Sequence, residues 1–157
     1  MKNSLKKSFS DGFTLVEIMI VVAIIGLLVA VAVPNFLRIR MNSNERLILS
    51  DLRVFSNASE SYRAFQNSLT FAPDITTLMT EGYVNDTWVN PNNKDGYSFV
   101  YTAGANGRAY SMEADPLQPN ITGVHAYCVD QGGIIMQSLD PGIGTANGCV
   151  GGDPIGT

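Results

Sequence analysis

Histidine and cysteine are scarce in this sequence, with His125, Cys128 and Cys149 the only ones in 157 residues. A Cys/His zinc site needs about four such ligands at set spacings, so none can be assembled. There is no CxxC pair for thiol exchange and no CxxCH for haem attachment. Gly-x-Ser-x-Gly, Walker A and GxGxxG patterns are also missing, and His125 has no nucleophile constellation around it. Enzyme chemistry therefore has no starting point, and no catalytic residue, cofactor or metal is assigned. The expected use of Cys128 and Cys149 is a disulfide in an oxidising compartment.

Positive charge is in short supply too. The chain carries 10 Lys and Arg against 14 Asp and Glu, a net charge of -4, which lacks the basic footprint of a nucleic-acid binder. Residues 1–12 hold three Lys and one Asp, residues 13–66 hold five Arg and four acids, and residues 67–157 hold nine acids and two bases. The acidic distal part reads as a solvated outer surface. The length excludes two large domains and fits a modest domain with an accessory segment.

The apolar residues are concentrated near the start. Residues 18–33 form an unbroken run without a polar side chain, and residues 13–37 contain one charge, Glu17. At about 1.5 Å per residue, a helix over that stretch exceeds the roughly 30 Å hydrocarbon core of a bilayer. Three readings are open. A secretory signal peptide fits the basic start and the small residues Ala30-Val31-Ala32, but the run is too long and carries an acid in its first turns. A plain membrane anchor is the second. The third begins from Glu17, because a carboxylate in a membrane costs about 2.5 to 3.5 kcal/mol on insertion scales and marks function. No Lys or Arg lies within residues 13–37 to pair with it. A cut between Gly12 and Phe13 would create an α-amino group four residues before Glu17, able to pair with the carboxylate of a neighbouring copy.

The segment KKSFSDGFTLVEIMIVVAIIGLLVAVAVPNF resembles the class III signal of type IV prepilins and type II secretion pseudopilins. The basic leader, the Gly-Phe junction, Thr-Leu-x-Glu and the downstream Pro all occur in register. The resemblance implies cleavage after Gly12 by a prepilin peptidase, N-methylation of Phe13, and an assembly role for Glu17. It also implies a helix break between Gly26 and Pro34, frequent in assembled filaments. Physical reasoning independently predicts a kink or opened turn at Pro34, which removes a backbone donor. Gly26 reads equally as a site of close helix packing.

Beyond Pro34, Met41, Ile48, Leu52, Phe55 and Tyr62 recur at helical spacing, with charges on the remaining faces. This stripe is expected to bury on the distal domain, with Phe55, Tyr62 and Phe65 as core aromatics. Gln66-Asn67-Ser68 and Pro73 end the helix. Residues 67–96 read as connection with a short helical turn over 75–80. From Tyr97 the texture is β: 97–103, the turn Asn106-Gly107, 108–114, then 124–130, a Gln-Gly-Gly turn and 134–138. The expected fold is α+β, a long N-terminal helix, membrane-spanning and then amphipathic, packed on a four-stranded antiparallel sheet. The Gly-rich tail does not promise to hold itself by packing, and a Cys128–Cys149 bond would stabilise it by roughly 3 kcal/mol. This half also resembles pilins and pseudopilins, more weakly; the resemblance links a C-terminal disulfide loop to pilins rather than to major pseudopilins.

Asp140 and Asp153 could offer oxygens to calcium, as major pseudopilins do in this domain, but their spacing matches no loop motif and they read as solvated acids. Asn57, Asn85 and Asn120 head formal glycan-acceptor triplets. The expected organisation is a leader (1–12), an apolar assembly helix (13–37), its amphipathic continuation (38–66) and a sheet domain (67–157). The expected function is a structural subunit of a type IV pilus-like surface filament. Its partners would be copies of itself, prepilin peptidase, inner-membrane assembly machinery and, before assembly, the membrane. The alternatives are the major pseudopilin of a type II secretion system and a single-pass, membrane-anchored binding module.

Overall fold

The computed structural model describes residues 12–88 and 93–155; residues 1–11, which make up all but the last of the expected leader, and residues 89–92 and 156–157 lie outside the described residues. The chain divides into two units, one reaching Phe36 and one beginning at Leu37. Helix α1, Leu15–Phe65, runs through both as one element, close to the expected bounds. It contains Gly26 and Pro34 without interruption, so neither position opens the helix in the isolated chain.

In the second unit, α1 buries Ile48, Leu52, Phe55, Ser56, Ser59 and Tyr62. The predicted stripe is thus present from Ile48 onward, while Met41 is only half-buried. Phe65 departs from the core expectation and is 79% exposed, because it lies in the last turn, off the stripe through Phe55 and Tyr62.

The sheet is antiparallel and has six strands rather than four. The four expected strands form its centre: β2 (Tyr97–Ala103), β3 (Tyr110–Pro116), β4 (Ala126–Asp130) and β5 (Ile135–Ser138). Each edge gains a two-residue strand, β1 (Asn93–Lys94) and β8 (Asp153–Pro154). Strands this short show no periodicity. The β1–β2 turn did carry a signal, Asp95-Gly96, whose φ angles of 51° and 82° suit a two-residue hairpin. Two further short strands, β6 (Gly144–Thr145) and β7 (Gly148–Cys149), pair with each other in the tail.

One face of the sheet presents Tyr97, Phe99, Tyr110, Met112, Ala114, Tyr127, Val129 and Ile135 to the α1 stripe. The supposed connection contributes to this core: Phe71, Ala72, Leu78, Val84 and Trp88 are all buried, with Leu78 on the short helix α2 (Ile75–Thr80). Asp74 caps α2 by accepting the Thr77 N–H at 2.7 Å. The opposite face at β3 holds Ser111 and Glu113, buried beneath the tail strands. That second cover explains why β3 is buried on both sides.

Candidate functional site: the apolar N-terminal segment and the pinned tail

The apolar N-terminal segment begins with an exposed Gly12 and a Phe13 that is 87% exposed. Thr14 is the N-cap of α1. Its Oγ1 accepts the Glu17 N–H at 3.3 Å, while the Glu17 carboxylate accepts the Thr14 N–H at 2.7 Å and the Thr14 hydroxyl at 2.8 Å. This is a reciprocal capping box, which satisfies two backbone donors that a helix start leaves open. Sequence reasoning singled out Glu17 but missed Thr14, although a Thr three residues ahead of a Glu before an apolar run is the pattern for it. Beyond this exchange Glu17 has no partner among the described residues.

From Leu15 to Phe36 every side chain is exposed within its own unit. This is the one described helix long and apolar enough to cross a membrane. Such a continuous apolar surface requires a lipid or protein cover. Space is open around Gly26, so the glycine is not there to admit a contact within the chain. Pro34 withholds the donor that would bond the carbonyl of Ala30, which leaves a locally weakened turn inside an unbroken helix.

The tail is held at several neighbouring points. Cys128 and Cys149 form a disulfide. Glu113, beside Cys128 in the β3–β4 register, accepts the Ile143 N–H at 2.7 Å, the Gly144 N–H at 3.3 Å and the Gly142 N–H. Asp130 adds a third tie by accepting the Cys149 N–H at 3.0 Å. The role of these carboxylates was not singled out from sequence, because nothing around either one marks a partner in the distant tail. Asp115 is pushed up to about 6, first by burial and then by the charge of Glu113. Burial also pushes the hydroxyls of Tyr97, Tyr101, Tyr110 and Tyr127 up.

The remaining candidates disperse. His125 stands beside Glu45, its Nδ1 3.4 Å from Oε1, in a structural setting. Glu45 also accepts the Val124 N–H at 2.8 Å and the His125 N–H at 3.2 Å, tying the β3–β4 connection to α1. Asp140 and Asp153 are exposed, and no group of three or more potential metal ligands occurs among the described residues. Asn57, Asn85 and Asn120 are exposed.

The family pattern described as the prokaryotic N-terminal methylation motif matches residues 8–33, which include Gly12, Phe13 and Glu17. The chain is 31% identical over 120 residues to the type II secretion system core protein G of Escherichia coli K12, an alignment covering 61% of this chain and 82% of that protein. It is 34% identical over 119 residues to a fimbrial protein of Moraxella nonliquefaciens, covering 66% and 77%. This chain belongs to the type IV pilin and type II secretion pseudopilin family.

Within the pilin family it is also 41% identical over 70 residues to the type IV major pilin protein PilA of Myxococcus xanthus, covering 40% of this chain and 32% of that one. The chain therefore spans about a third of that relative and most of the other two. No solved structure matches. The pilin-like α+β architecture is that described above.

Proposed function

We propose that this pilin-family chain is held in the membrane by residues 13–37, cut after Gly12 by a prepilin peptidase, methylated on the new Phe13 amine, and polymerised into a surface filament of the type IV pilus kind. The observation that carries this reading is an uncovered apolar helical stretch within residues 13–37 whose sole carboxylate, Glu17, has only its own N-cap as partner among the described residues. In the polymer the apolar surfaces of several copies cover one another. Glu17 accepts the Phe13 amine of an adjacent copy, which fixes register and offsets a charge that is otherwise costly to bury. Gly26 and Pro34 form the weak stretch of the helix, where packing among copies opens it. The filament stands outside the inner membrane, and no catalytic step is assigned to the chain.

The test is a Glu17→Val chain in the native host. N-terminal sequencing is expected to find processing at Gly12 intact, with filaments sheared from the surface strongly reduced; normal filaments would overturn the pairing. Changing Gly12 is expected to leave an uncut precursor in the membrane.

The likeness to core protein G supports a second reading, a short periplasmic pseudopilus. The tail disulfide favours the pilus. Sheared surface filaments containing the processed chain distinguish the two, since a pseudopilus leaves none outside the cell.

A further inference from the structure

In the second unit, one stripe of α1 has nothing over it among the described residues. Arg46 and Arg53 lie seven positions apart on this stripe, both exposed and neither in an ion pair among the described residues. Leu47 and Val54 lie beside them, also seven apart, and are 47% and 56% exposed. Seven residues make about two helical turns, so each pair is aligned along the helix. The combination of aligned apolar and guanidinium groups is that of an interface core rather than of a solvated face.

The chain carries a complement elsewhere. Residues 64–93 contain Asp74, Glu81 and Asp86 and no Lys, Arg or His. Asp74 is engaged as the α2 cap, whereas Glu81 and Asp86 are exposed and outside any ion pair among the described residues.

We propose that the stripe formed by Arg46, Leu47, Arg53 and Val54 is seated on the Glu81–Asp86 segment of the next copy of this chain. The proposal rests on the filament reading and names the partner surface that reading requires. Two different, complementary patches on one chain allow a head-to-tail contact, and such contacts run on as an open filament when the rotation between copies does not close on itself. A second copy is favoured over anionic lipid because the chain itself carries exposed acids, Glu81 and Asp86, that are outside any ion pair among the described residues and complement the two guanidinium groups. The stripe also lies on the helix that carries the assembly segment.

The test uses the full chain in its native host. Arg46→Glu with Arg53→Glu is expected to be processed and membrane-held, with sheared filaments reduced about tenfold or more, because like charges then face each other. Glu81→Lys with Asp86→Lys is expected to fail in the same way, and either co-expression of the two charge-reversed chains or all four changes in one chain is expected to restore filaments. All four sites are exposed, and retained protease resistance of each variant checks folding. Wild-type yield from either charge-reversed chain alone, or no recovery in both restoration arms, overturns the proposal. Absence of filaments from the wild-type chain would instead count against the filament reading itself.

Discussion

Glu113 and Cys128 stand directly opposite each other on adjacent strands, and each holds a different part of the same tail. Cys128 binds Cys149 covalently, and Glu113 accepts backbone N–H groups of residues 142–144. The tail thereby covers a sheet face that would otherwise leave a buried carboxylate unpaired.

Replacing Glu113 with Gln keeps the shape but removes the charge from hydrogen bonds that are charge-assisted. The expected cost is about 1 to 3 kcal/mol. Denaturant unfolding of the detergent-solubilised chain measures it. Cys149→Ser is expected to cost about 3 kcal/mol by loop-closure entropy. In that variant hydrogen exchange should accelerate at residues 145–155 more than at 142–144, which Glu113 still holds; uniform acceleration would contradict separate anchoring.

Asp115 sets a pH dependence. Its folded value of about 6 lies above the ordinary Asp value of 3.8, so the folded chain takes up a proton before the unfolded chain does. Stability from this group therefore rises as pH falls from about 7 through 6 and levels off near the unfolded value. Asp115→Asn is expected to flatten the slope of unfolding free energy between pH 7 and 5. An unchanged slope would place the titration elsewhere.

Phe55 joins the helix to the sheet. It is fully buried, with ring centroids 5.3 Å from Trp88, 5.8 Å from Tyr101 and 6.1 Å from Tyr110. Phe55→Ala is expected to cost about 3 to 5 kcal/mol. Phe65→Ala, at an exposed position, is expected to change stability by less than about 0.5 kcal/mol. Equal losses from the two variants would contradict the observed packing.

Gly123 sits against the Tyr97 ring; a Cβ there would lie 1.8 Å from the hydroxyl oxygen that donates to the His125 carbonyl at 3.0 Å. Gly123→Ala must displace the ring, at a cost of about 1 to 3 kcal/mol. Tyr97→Phe in the Gly123→Ala background should relieve part of it, and a strictly additive double variant would rule out the clash.

The residues by themselves determined the parts whose cause is local. The Ile48, Leu52, Phe55 and Tyr62 stripe and the Tyr97, Phe99 and Tyr101 alternation were legible because periodicity expresses burial directly, and the 13–37 run because an unbroken apolar stretch stands out by composition alone. The motif around Gly12 and Phe13 was legible because its spacing is contiguous in the chain. Only the tertiary structure decided what joins distant positions. Glu113 meets residues 142–144 across 29 to 31 positions, and Glu45 meets Val124 and His125 across 79 and 80, with no pattern at either end. The same applies to Phe71 and Trp88, whose surroundings read as loop until the sheet and α1 enclose them. Sequence pattern reports which face of an element is buried, whereas which buried groups pair depends on the register of strands and the path of the tail, and those are set only when the whole core closes.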